Sequence, residues 1–213
     1  MDESTQGIIL RVRPLTETSL IVHWLTAKHG RLSTVAKGAR RTKNALRGKI
    51  DLLFDAEFSF RRSRRSDLHI LREVKIIKPH CLIRGDIQRL QLLAYATHFI
   101  EHTTEVEAPL LGIHAIFSTL LLHLDSNPNR PALVYALEMK LLNELGQAPA
   151  LDECRINVGT RKLLEHMEVL NWDAIITLKP TKAQAEEAQQ FLHGFLIRQF
   201  DKLPKGRGAA LGE

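Results

Sequence analysis

Residues 19–36 read SLIVHWLTAKHGRLSTVA, and they decide the fold class of the first third of the chain. Residues 19–25 form a short β-rich run, and Lys28, His29 and Gly30 close it as a turn. Residues 31–36 alternate polar and apolar, as a half-buried strand does. The same signal extends in both directions. Upstream, residues 8–13 are β-rich and end at Pro14. Downstream, residues 54–60 place Phe54, Ala56, Phe58 and Phe60 at every second position. Residues 68–77 make a fifth run, stopped by Pro79. Five strands in about 80 residues, mostly joined by short turns, predict a small barrel or a sandwich. One connection, residues 37–53, is longer.

Beyond Pro79 the period changes. Ile87, Leu90, Leu93 and Ala94 follow helical spacing, as do Leu137, Leu141, Leu142 and Leu145. The pattern predicts helices near 86–103, 109–124, 131–145, 159–171 and 181–200. Pro131 suits a first helical turn, Gly146 a C-terminal cap and Thr181 an N-cap. Residues 204–213 are small and polar and are expected to be a disordered tail. The expected domains are therefore a barrel over 1–80 and an all-α domain over 81–203.

Charge follows the same division. The chain of 213 residues carries a formal net charge of +6. Residues 1–80 hold 17 Lys and Arg against 8 Asp and Glu, a net of +9, so the remainder is net −3. A basic module followed by a mildly acidic one points to an acidic partner for the first, with nucleic acid foremost. The excess concentrates between Lys28 and Lys49, where Arg31, Lys37, Arg40, Arg41, Lys43 and Arg47 also fall and no Asp or Glu interrupts. Ordinary surfaces mix signs. A polyphosphate strand asks for this composition: several cations tracking a line of charge, with weak demands on register. Gly38 and Gly48 lie near the ends of the segment and are expected to let it bend. A second cluster, Arg61, Arg62, Arg64 and Arg65, lies in the turn between the fourth and fifth strands, on the same rim as the loop or on the opposite one. Trp24 is the candidate stacking platform, with barrel core as its alternative.

Specific residues carry a family resemblance. Gly7 to Pro14, Glu17 to Leu20, Leu25 to Leu32, Val35 to Arg41 and Leu46-Arg47-Gly48 resemble the successive N-terminal blocks of RecO proteins. Farther on, Leu145 to Pro149, Leu151-Asp152 and Cys154 resemble the family's segment at the end of a central helix. The resemblance implies a five-stranded OB-fold barrel that binds single- and double-stranded DNA and supports annealing. It implies a helical domain that meets the acidic tail of single-stranded DNA-binding protein (SSB). It also implies action with RecR to load RecA onto SSB-coated DNA. Lys37, Arg40, Arg41 and Arg47 match the family's basic positions. Arg31, Lys43, Lys49 and the Arg61–Arg65 cluster join them as DNA-contact candidates.

Two departures stand out. Many relatives carry four zinc cysteines in two CxxC pairs, whereas here Cys154 stands alone and the chain passes to Gly159. The zinc module is expected to be absent, and no metal or other cofactor is expected. Some relatives also carry paired arginines near the position of Glu138; here Tyr135 and Ala136 stand close by. Arg130, Lys140 and Arg161 are the substitute candidates for the SSB tail.

Rival readings are an OB-fold RNA-binding protein, an adaptor for an acidic protein, and a zinc peptidase. The last rests on His98, Glu101 and His102, a literal H-x-x-E-H that lacks a marked third ligand. No P-loop, nucleophile elbow or dinucleotide fingerprint occurs, so no catalysis is expected. Residues 1–7 lack an apolar core of a secretory signal, and no run of about 18 apolar residues exists. The expected location is the cytoplasm, at the nucleoid.

Overall fold

The computed structural model describes residues 2–213. Contacts divide the chain into two compact units: one runs through Cys81 and includes Thr104–Ser118, the other holds Leu82–Thr103 and Thr119–Glu213.

The first unit is a closed five-stranded barrel. Its strands are β1 (Asp2–Pro14), β2 (Leu20–Thr26), β3 (Gly30–Ala36), β4 (Asp55–Arg61) and β5 (Leu68–Lys78). They close in the order β1-β2-β3-β5-β4. Only β3 and β5 run parallel; the other four pairings are antiparallel. This is the OB architecture the sequence leads one to expect. The period-2 pattern explains the register. In β4, Ala56, Phe58 and Phe60 point inward while Glu57 and Ser59 stay at the surface. Trp24, Phe58, Phe60, Ile9, Val22, Leu32 and Leu71 fill the interior. Burying each such side chain contributes about 1.5–3 kcal/mol.

β1 is longer than its apolar run. Residues 2–6 alternate in exposure and pair with β4 (Asp2 opposite Arg61, Gln6 opposite Glu57). Polar residues make this half of the strand, so hydrophobic periodicity could not reveal it. β1 then passes from β4 to β2 at Gly7, where a Cβ would meet Leu25 O at 2.9 Å. A bulge between Ile9 and Arg11 accompanies the change of partner.

Residues 104–118 were expected in the helical domain and are instead grouped with the barrel. This strap is held by backbone bonds. Glu107 N–H donates to Arg31 O (3.1 Å) and Leu110 N–H donates to Ala27 O (2.9 Å). Gly30 has φ of 61°, and a Cβ there would lie 1.8 Å from Ala108 O, so only glycine admits the strap.

The second unit is helical: α1 (Ile87–Thr103), the later part of α2 (Leu111–Ser126), α3 (Pro131–Glu144), α4 (Val158–Val169), α5 (Trp172–Ile175), α6 (Lys182–Phe200) and α7 (Arg207–Leu211). α3 is the central element, with Leu133 through Met139 all buried. It begins at Pro131 and is followed by Gly146 in the left-handed region. Thr181 caps α6 through a reciprocal box with Gln184.

The expected disordered tail is a correction. Residues 207–211 form α7, and Arg207 is only 5% exposed. Its guanidinium grips Glu138 of α3, Nε to Oε1 at 2.7 Å and a terminal nitrogen to Oε2 at 3.1 Å. Tyr95 OH donates to the same Oε1 at 2.6 Å. Burial works against the Arg207 charge, but Glu138 more than offsets it and its pKa is raised. This ion pair, the Asn129 amide bond to Ala210 O (2.9 Å) and the burial of Ala210 hold a segment whose composition alone predicts fraying.

Candidate nucleic-acid interface

The β3–β4 loop, residues 37–54, is folded rather than slack. Ala39, Leu46 and Phe54 reach into the barrel core, and Leu53 is buried too. Successive turns fill the space between these pins: Arg41 N–H donates to Gly38 O, Asn44 N–H to Arg41 O and Arg47 N–H to Asn44 O. Asn44 Nδ2 donates to Lys37 O at 3.1 Å, and its Oδ1 accepts the Leu46 N–H at 2.8 Å. The cations occupy the positions between pins. Lys37, Arg40, Arg41, Lys43, Arg47 and Lys49 are all exposed, and among the described residues none has a carboxylate partner. The loop therefore presents six uncompensated positive charges on an ordered frame.

The Arg61–Arg65 cluster is different. The β3–β4 loop enters β4 and this turn leaves it. Arg61 Nε bonds Asp2 Oδ1 at 2.8 Å. Arg62 Nε bonds Glu3 Oε1 at 2.9 Å, and Arg62 also pairs with Glu107 of the strap. These hydrogen bonds hold the Asp2 and Glu3 carboxyls below their ordinary pKa range and raise that of Arg62. Buried His69 completes the group. Its Nδ1 accepts the Ser63 N–H, and its Nε2 lies 2.8 Å from Glu107 Oε1. Among the described residues, only Arg64 and Arg65 of this cluster are exposed without an ion pair.

Trp24 is not a stacking platform. It is 0% exposed, lies 3.9 Å from the Phe58 ring, and donates its indole N–H to Thr34 Oγ1 at 2.9 Å. Its place on β2 is an inward one, and Thr34 satisfies the one polar atom that burial would orphan. Arg31 is half-buried, with Nε bonded to Thr104 Oγ1 at 2.9 Å, so it serves the strap. Arg13, which the basic-run reading passed over, is exposed near the end of β1 opposite Ile21. Alternation of Arg11 and Arg13 along β1 was the signal for it.

In the helical unit, Arg130, Lys140 and Arg161 have separate environments. Arg130 donates to Ile176 O at 3.5 Å. Lys140 donates to Glu168 O at 2.8 Å and lies 5.5 Å from the Trp172 ring; burial lowers its pKa. Arg161 Nε is buried with no hydrogen-bond partner. Cys154 Sγ contacts Ala150 O at 3.2 Å. Among the described residues, no group of three or more His, Cys, Asp or Glu side chains is placed to hold a metal. Nothing therefore completes the pattern of His98, Glu101 and His102, and His102 packs edge-on to Phe200. No described helix is long and apolar enough to cross a membrane.

Known proteins match both units. Residues 1–80 match the family model for the N-terminal part of recombination protein O, and residues 84–157 match that for its C-terminal part. A protein of Bacillus pumilus described as DNA repair protein RecO is 26% identical over 78% of this chain and 63% of its own length. Proteins of the same description are 29% identical in Anaeromyxobacter sp. (70% of this chain, 58% of theirs) and 27% in Listeria monocytogenes (72% and 60%). The chain thus spans about three fifths of the length of these curated relatives. Two successive models of one family, laid over an OB barrel and the helical region that follows it, establish that the chain belongs to the RecO family of DNA repair proteins.

Proposed function

We propose that this protein is a recombination mediator whose barrel binds single- and double-stranded DNA through the β3–β4 loop. The observation that carries the reading is the set of six exposed, unpaired cations on a loop pinned by Ala39, Leu46 and Phe54. Charges on an ordered frame neutralise a phosphate backbone without first paying to order the frame. Two strands neutralised on one surface repel each other less, and annealing follows from that physical effect rather than from bond chemistry.

The proposed partners are the SSB tail, RecR and, through them, RecA. The SSB tail is assigned to the helical unit, with Arg161 its foremost cation, because Lys140 is already committed to Glu168 and Trp172. Peptide binding should be measured on the full chain, since residues 104–118 belong with the barrel and a cut at residue 81 would strand them. An acidic C-terminal SSB peptide is expected to bind the full chain and to lose affinity in Arg161→Ala.

The direct test is annealing of complementary oligonucleotides coated with SSB, run across a salt series. The reading expects acceleration that fades as salt rises. Absence of both DNA binding and annealing at low ionic strength would favour the adaptor reading, and preference for RNA over DNA the RNA-binding one.

A further inference from the structure

The β1–β2 loop, residues 15–19, lies beside the start of the β3–β4 loop. Arg40 N–H donates to Thr18 O at 3.0 Å, and Gly38 N–H donates to Ser19 Oγ at 3.2 Å. Each loop is also fixed internally. Thr16 Oγ1 accepts the Thr18 and Ser19 N–H groups, while Asn44 braces Lys37. Between the loops lies a cleft of about 440 Å³.

Its lining has a definite chemistry. Lys37 and Arg41 supply two cations, Thr18 and Ser19 supply hydroxyls, and Leu15 supplies aliphatic surface beside the buried Val35. No acid lines it; Glu17, the one carboxylate of the β1–β2 loop, is not among the lining residues. Leu15 is 45% exposed. Two cations and hydroxyl donors match a phosphodiester, and a neighbouring aliphatic surface matches the sugar it carries.

We infer that the cleft between the β1–β2 and β3–β4 loops seats one phosphodiester of a nucleic-acid strand, with its sugar against Leu15. The inference rests on the reading that the β3–β4 loop binds DNA, and it assigns to that surface a fixed starting point. Lys43, Arg47 and Lys49 then follow along the same loop as a looser track. A seat of this kind reads no base, so binding is independent of sequence.

The test is binding of a fluorescent oligothymidylate at several chloride concentrations. Lys37→Met and Arg41→Met should each weaken binding about 5- to 20-fold and flatten the log–log salt slope by about 0.7, the value for one phosphate contact with a single strand. Thr18→Val, which removes a hydroxyl and no charge, should weaken binding about 2- to 5-fold at unchanged slope. Lys182→Met, on α6, is the charge-matched control. Amide NMR signals of Ser19 and Gly38 should shift on titration of the wild type and confirm that each variant is folded. Inorganic phosphate is the second probe: if it displaces the oligonucleotide no better than chloride at equal ionic strength, the seat takes the nucleotide and not a bare anion. Displacement by millimolar phosphate would overturn that assignment. If the oligonucleotide binds but Lys37→Met, Arg41→Met and Thr18→Val all bind like wild type, the seat is wrong while the loop reading stands. If the wild type does not bind at all, the loop reading fails and takes the seat with it.

Discussion

The β3–β4 loop and the β4–β5 turn look alike in sequence and differ in the folded protein. Both are rich in arginine, and both flank the same strand. Among the described residues the loop's cations have no carboxylate partner, whereas Arg61 and Arg62 are matched by Asp2, Glu3 and Glu107. The acids come from positions 59 and 45 residues away, brought in by the pairing of β1 with β4 and by the strap. A local charge count therefore measures a surface only after the fold has been allowed to cancel part of it.

A third arginine environment extends the contrast and gives the largest expected effect. Arg207 is buried against Glu138, and Arg207→Ala would leave a 0% exposed carboxylate without its cation. Such a break is expected to destabilise the helical unit by about 3–5 kcal/mol, read as a lower urea midpoint. Arg207→Ala with Glu138→Met removes both charges and should recover much of that loss. A loss below about 1 kcal/mol for the single variant would show that α7 adds little to the fold.

Reversing two loop charges comes next. Arg40→Glu with Arg41→Glu should weaken oligonucleotide binding by about 10- to 100-fold, roughly 1.4–2.8 kcal/mol, while circular dichroism and melting stay unchanged. Arg61→Gln with Arg62→Gln should do the opposite in kind. It should cost stability of at most about 1 kcal/mol, as exposed ion pairs do, and change DNA affinity two-fold or less. The smallest expected change is a gain. Glu107→Gln releases one partner of Arg62 and should tighten oligonucleotide binding by about two-fold or less at low salt.

Acid sharpens the same contrast. Hydrogen bonds from Arg61 and Arg62 hold Asp2 and Glu3 below their ordinary values of 3.8 and 4.5. Their contribution to stability is therefore complete above those unfolded-state values and is lost as pH falls through the lower folded ones. Melting followed from pH 6 to pH 3 should show a decline that Arg61→Gln with Arg62→Gln makes shallower. Equal slopes in both proteins would mean that these pairs do not couple to folding.

Much of the fold is legible in the sequence because periodicity is local. The alternation in residues 54–60 and 68–77, the helical spacing after Pro79, Pro131 at a first turn and the Thr181 cap each depend on neighbours within a few positions. What is not legible depends on distant partners. Residues 2–6 carry no apolar pattern and become a strand only by pairing with β4. The strap at 104–118 requires a glycine at position 30 that sequence alone reads as an ordinary turn. Residues 204–213 suggest a loose end until Glu138 is placed opposite Arg207. Trp24 sits in a strand where inward and outward positions are both open to a tryptophan, and Thr34 settles which one it takes. The acid-free run was readable as a charged surface, but its order was not, because Ala39 and Leu46 act as pins only once a barrel mouth exists for them to enter.

The most direct test compares salt dependences. Oligothymidylate affinity should be measured between low and physiological salt for the wild type and two four-site variants. In one, Lys37, Arg40, Arg41 and Lys43 become Gln; in the other, Arg61, Arg62, Arg64 and Arg65 do. The first is expected to flatten the log–log slope by about 3, near 0.7 for each lost phosphate contact, and the second by about 1 or less. Equal flattening by the two variants, or a larger effect from the second, would contradict the claim that the fold has left one cluster open to a phosphate backbone and neutralised the other.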